Sequence, residues 1–162
     1  MLLNLVLTFI AIILISSIVS GAPFVPSKHR AVGDMVSLAN AKTGDKIADL
    51  GAGDGRLLIA FAKMGVEAHG YEINPFLVLW ARYKVKKLGL TNLVFMHWKS
   101  FWGVNLSGFN IVAVYGIKWI MGRLENKLQV ELHPGARIVS NLYPFPTWEP
   151  AEKFRSVYLY KR

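Results

Sequence analysis

Cysteine is absent from all 162 residues. That excludes disulfides, a thiolate metal site, an iron–sulfur cluster and a cysteine nucleophile. The histidines, His29, His69, His97 and His133, have no metal-ligand spacing, so no metal is expected either. There is no repeat and no low-complexity segment, and the length is room for one domain with one core. Charge is missing from one long stretch. Residues 1–27 contain no Asp, Glu, Lys or Arg.

Within that stretch, Leu2 to Val19 is apolar apart from Asn4, Thr8, Ser16 and Ser17. As a helix it would be about 27 Å long, close to the roughly 30 Å hydrocarbon core of a bilayer. Its hydroxyls can bond back to helix carbonyls, so they do not prevent insertion. A cleaved signal peptide would need a basic stretch ahead of the apolar run, which is lacking, and Pro23 directly follows the small residues Ser20-Gly21-Ala22. A buried core helix would show a polar face, and none interrupts the run. The reading is therefore a transmembrane anchor over 1–21, a linker over 22–29 and one catalytic domain over 30–162. Lys28, His29 and Arg30 follow the apolar run and put that domain on the cytoplasmic side, or the matrix side of an organelle, as a single-pass protein.

Beyond the anchor the chain is basic, with 19 Lys+Arg against 10 Asp+Glu and a net charge of +9. That excess either keeps the domain soluble or holds it against anionic lipid. The pattern alternates short apolar runs with amphipathic ones, which predicts a Rossmann-like, doubly wound α/β fold with a mostly parallel sheet. Helices are expected over Ala31–Ala41, Arg56–Met64, Pro75–Leu88 and Trp119–Leu132. Strands are expected over Lys46–Leu50, Glu67–Tyr71, Leu93–His97, Asn110–Tyr115, Ala136–Leu142 and Ser156–Tyr160, the last antiparallel at an edge. Asn74 caps one helix and Pro75 opens it.

The informative segment is Asp49-Leu-Gly51-Ala-Gly53-Asp-Gly55, which joins the first strand to a helix. In an open parallel sheet, ligands sit beyond the carboxyl ends of strands, where this loop lies. A dinucleotide loop wants G-x-G-x-x-G around a pyrophosphate, and here position 56 is Arg. Asp49 and Asp54 would repel a pyrophosphate but suit S-adenosylmethionine, which carries a sulfonium and an ammonium cation. Glu72, at the end of the second strand, can accept both ribose hydroxyls as a bidentate pair.

DLGAGDGR, GYEINPFLVLWARYK and the late NLYPFPTWEP together resemble a family within the class I methyltransferases. These are the membrane-anchored protein-lysine methyltransferases of the adenine nucleotide translocase and the ATP synthase c subunit, with their prokaryotic relatives. The N-terminal apolar helix followed by APFVPS is similar to that family's anchor, and the likeness covers essentially the whole chain. It implies lysine N-methylation of a protein close to a membrane. It implies that Asp49, Gly51, Gly53 and Gly55 line the methionine end and that Glu72 holds the ribose, with Asn74 and Pro75 in the same motif. Many class I enzymes place an acid after the third strand to read adenine. Here Trp98-Lys99-Ser100-Phe101 stands instead, so Ser100 or a backbone group must serve.

For the substrate pocket, the candidates are Tyr115 after the fourth strand and Tyr143, Phe145 and Trp148 after the fifth. Glu149 is a candidate to steer an incoming lysine. Two other activities fit parts of the pattern: methylation of a small lipophilic molecule such as a quinone or lipid, and a non-catalytic cofactor-binding scaffold. Nucleic acid is not expected as a substrate. Tyr115-Gly116-Ile117-Lys118 stands where an Asn-Pro-Pro-aromatic tetrad would be needed.

Overall fold

A computed structural model describes residues 29–162 together with Asn4 and Thr8. The expected anchor and linker therefore lie outside the described residues, except at those two positions and His29. Thr8 Oγ1 donates to the Asn4 carbonyl at 2.7 Å, the back-bond available to a hydroxyl in a helix. Among the described residues, no helix is long and apolar enough to cross a membrane.

The elements run α1 (His29–Ala39), β1 (Lys46–Leu50), α2 (Arg56–Ala62), β2 (Glu67–Glu72), α3 (Pro75–Lys87), β3 (Val94–Trp98), a 3-10 turn (Phe101–Gly103), β4 (Ile111–Val114), α4 (Lys118–Glu131), β5 (Arg137–Asn141), β6 (Glu152–Phe154) and β7 (Val157–Lys161). The strands form one seven-stranded sheet in the order β3-β2-β1-β4-β5-β7-β6. β1 to β5 are parallel, and β7 is antiparallel to both of its neighbours. The sequence pattern puts this last strand at the edge. The edge is instead β6, whose three residues are all exposed and so leave no hydrophobic alternation in the sequence.

Residue pattern explains the ends of the elements. α1 stops two residues earlier than expected because Asn40 takes a left-handed conformation, φ 45°. Its last carbonyls are answered from a distance: Arg137 Nη1 donates to the Ala39 carbonyl at 2.7 Å while Arg137 Nη2 pairs with Asp45 at 2.6 Å. α3 begins as expected, with Asn74 Oδ1 accepting from the Phe76 and Leu77 N–H groups and Pro75 at the first position. The three lysines of its last turn lie where the helix dipole is negative.

The two faces of the sheet are covered unequally. On one, α1, α2 and α3 bury Val32, Met35, Leu58, Phe61, Val78 and Val85 against the strands. On the other, α4 is the one α-helix among the described residues. There the irregular segment from Phe101 to Phe109, opening with the 3-10 turn, takes the place of a crossover α-helix between β3 and β4. α4 holds that segment down: Lys127 Nζ donates to the Val104 carbonyl at 2.7 Å and Glu131 Oε2 accepts from the Leu106 N–H at 3.0 Å. Each large side chain fully buried here, Phe61 and Leu124 among them, contributes about 1.5–3 kcal/mol.

α1 ends beside the start of β5, and farther up Asp34 pairs with Arg155 Nη1 at 2.9 Å. Arg155 lies in the turn before Val157, which is paired with Asn141 at the far end of β5. The start of α1 is therefore at the same end of the sheet as the carboxyl ends of β1 to β5.

Candidate functional site

Strand β1 delivers Asp49 and Leu50 to that end, and the chain then turns over the tip of β2. The N–H groups of Gly51 and Ala52 both donate to the Tyr71 carbonyl, at 2.9 and 3.1 Å. The turn needs glycine: Gly51, Gly53 and Gly55 have φ of 89°, 54° and 74°. Beneath it lies a glycine that motif reading missed. A Cβ on Gly70 would stand 2.7 Å from the Ala52 Cβ and from Met96 Sδ. The signal in the sequence was a glycine inside a strand, a mark of close backbone approach.

Glu72 ties the turn to the start of α3. Its Oε2 accepts from the Gly53 N–H at 2.9 Å, and its Oε1 accepts from the Ile73 and Asn74 N–H groups at 2.9 and 2.8 Å. A carboxylate offers about four acceptor sites. The backbone occupies three of them, so a bidentate grip on two ribose hydroxyls competes with these bonds. One acceptor position on Oε2 is left for a sugar hydroxyl.

The two aspartates of the loop differ sharply. Burial opposes ionisation of Asp54, but hydrogen bonds and charge from Arg56 and Lys84 outweigh it and hold its carboxyl down to about 2. Arg56 Nε lies 2.9 Å from Oδ1 and Lys84 Nζ 2.8 Å from Oδ2. Asp54 thus joins the loop to α3 and does not present an open charge. Neither aspartate sets a full open charge against a pyrophosphate: Asp54 is paired, and Asp49 is buried with its carboxyl raised. Asp49 is 5 % exposed and hydrogen-bonds no described side chain. Burial, then the nearby Glu72 and Asp54, push its carboxyl up to about 7. A cation brought beside it would restore the ionised form.

Asn74 and Ser100 are occupied as caps. Asn74 Oδ1 serves the first turn of α3, and Ser100 Oγ accepts from the Trp102 N–H at 3.4 Å. Ser100 nevertheless sits beside Glu72, because the Lys99 N–H donates to the Glu72 carbonyl at 3.1 Å.

The candidate pocket wall divides. Tyr115, at the end of β4, is half-buried; burial and then the neighbouring Tyr143 phenol raise its hydroxyl above the usual range. Phe145 is packed more deeply than the other candidates. It is buried in the core and packs edge-on against Tyr160 at 4.7 Å. Trp148 is partly buried and stacks on Phe145 at 5.8 Å, while Glu149 is exposed.

The 143–148 segment is pinned at three points. Ser140 Oγ donates to the Tyr143 carbonyl at 2.7 Å, and the Phe145 N–H donates to Tyr160 Oη at 3.0 Å. Glu125 of α4 accepts from both the hydroxyl and the N–H of Thr147. Leu142 enters the segment at φ 72°, a strained conformation for a branched side chain. Glu125 was missed in the sequence, although its spacing from Met121 and Leu128 puts an acid on the buried stripe of α4.

Residues 49–152, more than half of the chain, match the ANTKMT methyltransferase domain. The chain belongs to this family.

Several known proteins are similar to much of this chain. The lysine N-methyltransferase of the ATP synthase c subunit from Rattus norvegicus is 38% identical over 128 residues, covering 79% of this chain and 59% of the rat protein. The match thus spans little more than half the length of that relative. A protein-lysine N-methyltransferase of Saccharolobus islandicus is 32% identical, covering 89% of this chain and 96% of its own length. Among solved structures, an RNA methyltransferase of Salinibacter ruber in complex with S-adenosyl-L-homocysteine superposes with a TM-score of 0.82 at 30% identity, covering 85% of this chain and 93% of that one. The fold is thus the class I methyltransferase fold, Rossmann-like with a mostly parallel sheet. The ANTKMT match spans Asp49 through the Pro-rich segment, so the glycine turn, Glu72 and residues 143–148 all fall inside the family's domain.

Proposed function

We propose that this chain is an S-adenosylmethionine-dependent protein-lysine N-methyltransferase acting on a polypeptide held at a membrane. The observation that carries the reading is Asp49: a buried acid under a glycine turn, raised to about 7, with no cation paired to it among the described residues. The ammonium of the methionine moiety is a fitting partner, and the open acceptor on Glu72 suits the sugar. The lysine specificity of the rat and Saccharolobus islandicus relatives supports the substrate class.

When bound, the cofactor supplies an electrophilic methyl on a sulfonium. The chain's own residues have to present a neutral amine to it. For a lysine of ordinary pKa, deprotonation at pH 7 costs about 4.6 kcal/mol. Desolvation between Tyr115, Tyr143 and Trp148 lowers that cost, and aromatic faces accept the methylated cation. A phenol is neutral at pH 7, so the Tyr115 hydroxyl can hydrogen-bond the amine without adding a charge that would favour ammonium. Proximity and alignment supply the rest.

Membrane placement rests on the uncharged residues 1–27, read as a single-pass anchor over 1–21, with Lys28, His29 and Arg30 putting the domain on the cytoplasmic or matrix-equivalent side. A second reading, RNA methylation, is favoured by the Salinibacter ruber structure and by the charge of +9. One experiment separates them. Membranes and total RNA from cells lacking the protein are incubated with the full chain and methyl-labelled cofactor. Label on lysine of a membrane polypeptide is the expected result. Label confined to RNA, or to the lipid extract, would overturn the proposal.

A further inference from the structure

Helix α3 packs onto the sheet through Val78, Ala81 and Val85. Its opposite side is apolar as well. Phe76, Leu79, Trp80 and Tyr83 recur at helical spacing in one stripe and are 61%, 62%, 53% and 55% exposed. Trp80 and Tyr83 stack at 5.6 Å. Trp98, 67% exposed, is anchored beside the start of the helix by its indole N–H, which donates to the Ile73 carbonyl at 3.0 Å. A contiguous apolar ridge of this kind, uncovered by any described residue, marks an interaction surface.

The charges around the ridge have one sign. α3 contains no Asp or Glu. Lys84 is engaged with Asp54, but Lys86 and Lys87 stand exposed at one end of the ridge, and Lys99 stands exposed next to Trp98. Aromatic rings flanked by lysines are what a bilayer boundary selects: rings at headgroup depth, ammonium groups on lipid phosphate. The position agrees with this. α3 starts at the carboxyl ends of the strands, the end at which the uncharged stretch 1–27 joins α1.

We propose that the α3 ridge is a membrane-contact surface, with Phe76, Leu79, Trp80 and Trp98 lying in the headgroup boundary of an anionic bilayer and Lys86, Lys87 and Lys99 against its phosphates. The inference deepens the membrane placement above, since an anchor alone would leave the domain free to hang in water. It sets the domain's orientation: the site mouth is held next to the bilayer, in reach of a lysine at the membrane surface.

The absence of cysteine makes a direct test available. A nitroxide is attached to full-length Leu79→Cys, and as control to Val130→Cys, a position 83% exposed on α4. Each is reconstituted in vesicles of phosphatidylcholine and phosphatidylglycerol, and collisions with oxygen and with a water-soluble nickel chelate are compared. The expected result is a loss of nickel collisions and a gain of oxygen collisions at position 79 on vesicles, with no shift at 130. If the chain floats with the vesicles but position 79 stays as open to nickel as position 130, this proposal is overturned and the anchor stands. If the chain does not float, both are overturned. Immobilisation of the label only on adding a substrate polypeptide, with no gain of oxygen, would make the ridge a protein-docking surface and overturn the lipid assignment.

Discussion

The hydroxyl of Thr147 donates a 2.6 Å hydrogen bond to Glu125, an acid that is only 2 % exposed. This couples the helix on the sparsely covered face of the sheet to the Pro-rich segment beside Tyr143 and Trp148. Thr147→Val keeps the shape but leaves a buried acceptor short of a donor, which costs about 1–3 kcal/mol. Chemical denaturation should show that loss. Steady-state kinetics should show a raised KM for the polypeptide substrate with an unaltered cofactor Kd, and Thr147→Ser should restore both. A cofactor Kd that moves with KM would contradict a positioning role confined to the substrate side.

Glu72→Ala removes the acceptor of three backbone N–H groups at once. Affinity for S-adenosylhomocysteine should fall at least about tenfold, or ~1.4 kcal/mol, by titration calorimetry. Glu72→Gln should recover part of it, because its carbonyl can still serve Ile73 and Asn74. Equal affinity in all three proteins would remove Glu72 from the cofactor site.

Asp49 titrates near neutrality, pushed up to about 7 by burial and then by Glu72 and Asp54, from an ordinary 3.8. The folded protein therefore holds a proton that the unfolded chain gives up between about pH 4 and 7. This group's contribution to stability is complete below pH 4 and is lost as pH rises through 7. A cationic ligand reverses the preference and expels the proton. Calorimetry near pH 7 in buffers of different ionisation enthalpy should show proton release on cofactor binding, and affinity should rise with pH. Asp49→Asn should abolish the buffer dependence, weaken binding and flatten the pH dependence of the melting temperature. Asp54 has the opposite sign. Its carboxyl is held down to about 2, so its contribution is present above pH 4 and fades only as pH falls toward 2.

Gly70→Ala should destabilise the fold by about 1–3 kcal/mol, since the new methyl meets Ala52 and Met96 in a packed interior. Because Ala52 belongs to the glycine turn, cofactor affinity should fall as well. A variant as stable as the parent would show that the turn can shift away.

β1 and β4 are legible as short apolar runs ending in a turn signal, and α3 is legible from Asn74-Pro75 and Gly89. β6 is not, since Glu-Lys-Phe at an edge pairs through its backbone and buries no side chain. The turn and Glu72 were readable from residue type and spacing. Their relation was not, because the bond from Gly53 to Glu72 joins positions 19 residues apart through strand pairing. Phe145 reads as a pocket wall in the sequence because it follows the fifth strand among aromatics whose faces can accept a sulfonium or a methylated cation. Its partner Tyr160 comes from the far end of the chain, and local sequence carries no trace of that contact. The neutralisation of Asp54 by Lys84, 30 residues on, escaped for the same reason.

α1 descends from the end of the sheet that carries the glycine turn to the start of β5, where Arg137 clasps its last carbonyl. The start of α1 at His29 therefore stands at the same end of the sheet as the glycine turn. On the proposed membrane reading, a tether attached there would turn the search for a substrate in the same bilayer from three dimensions into two, raising encounter frequency without adding a single contact to the substrate itself.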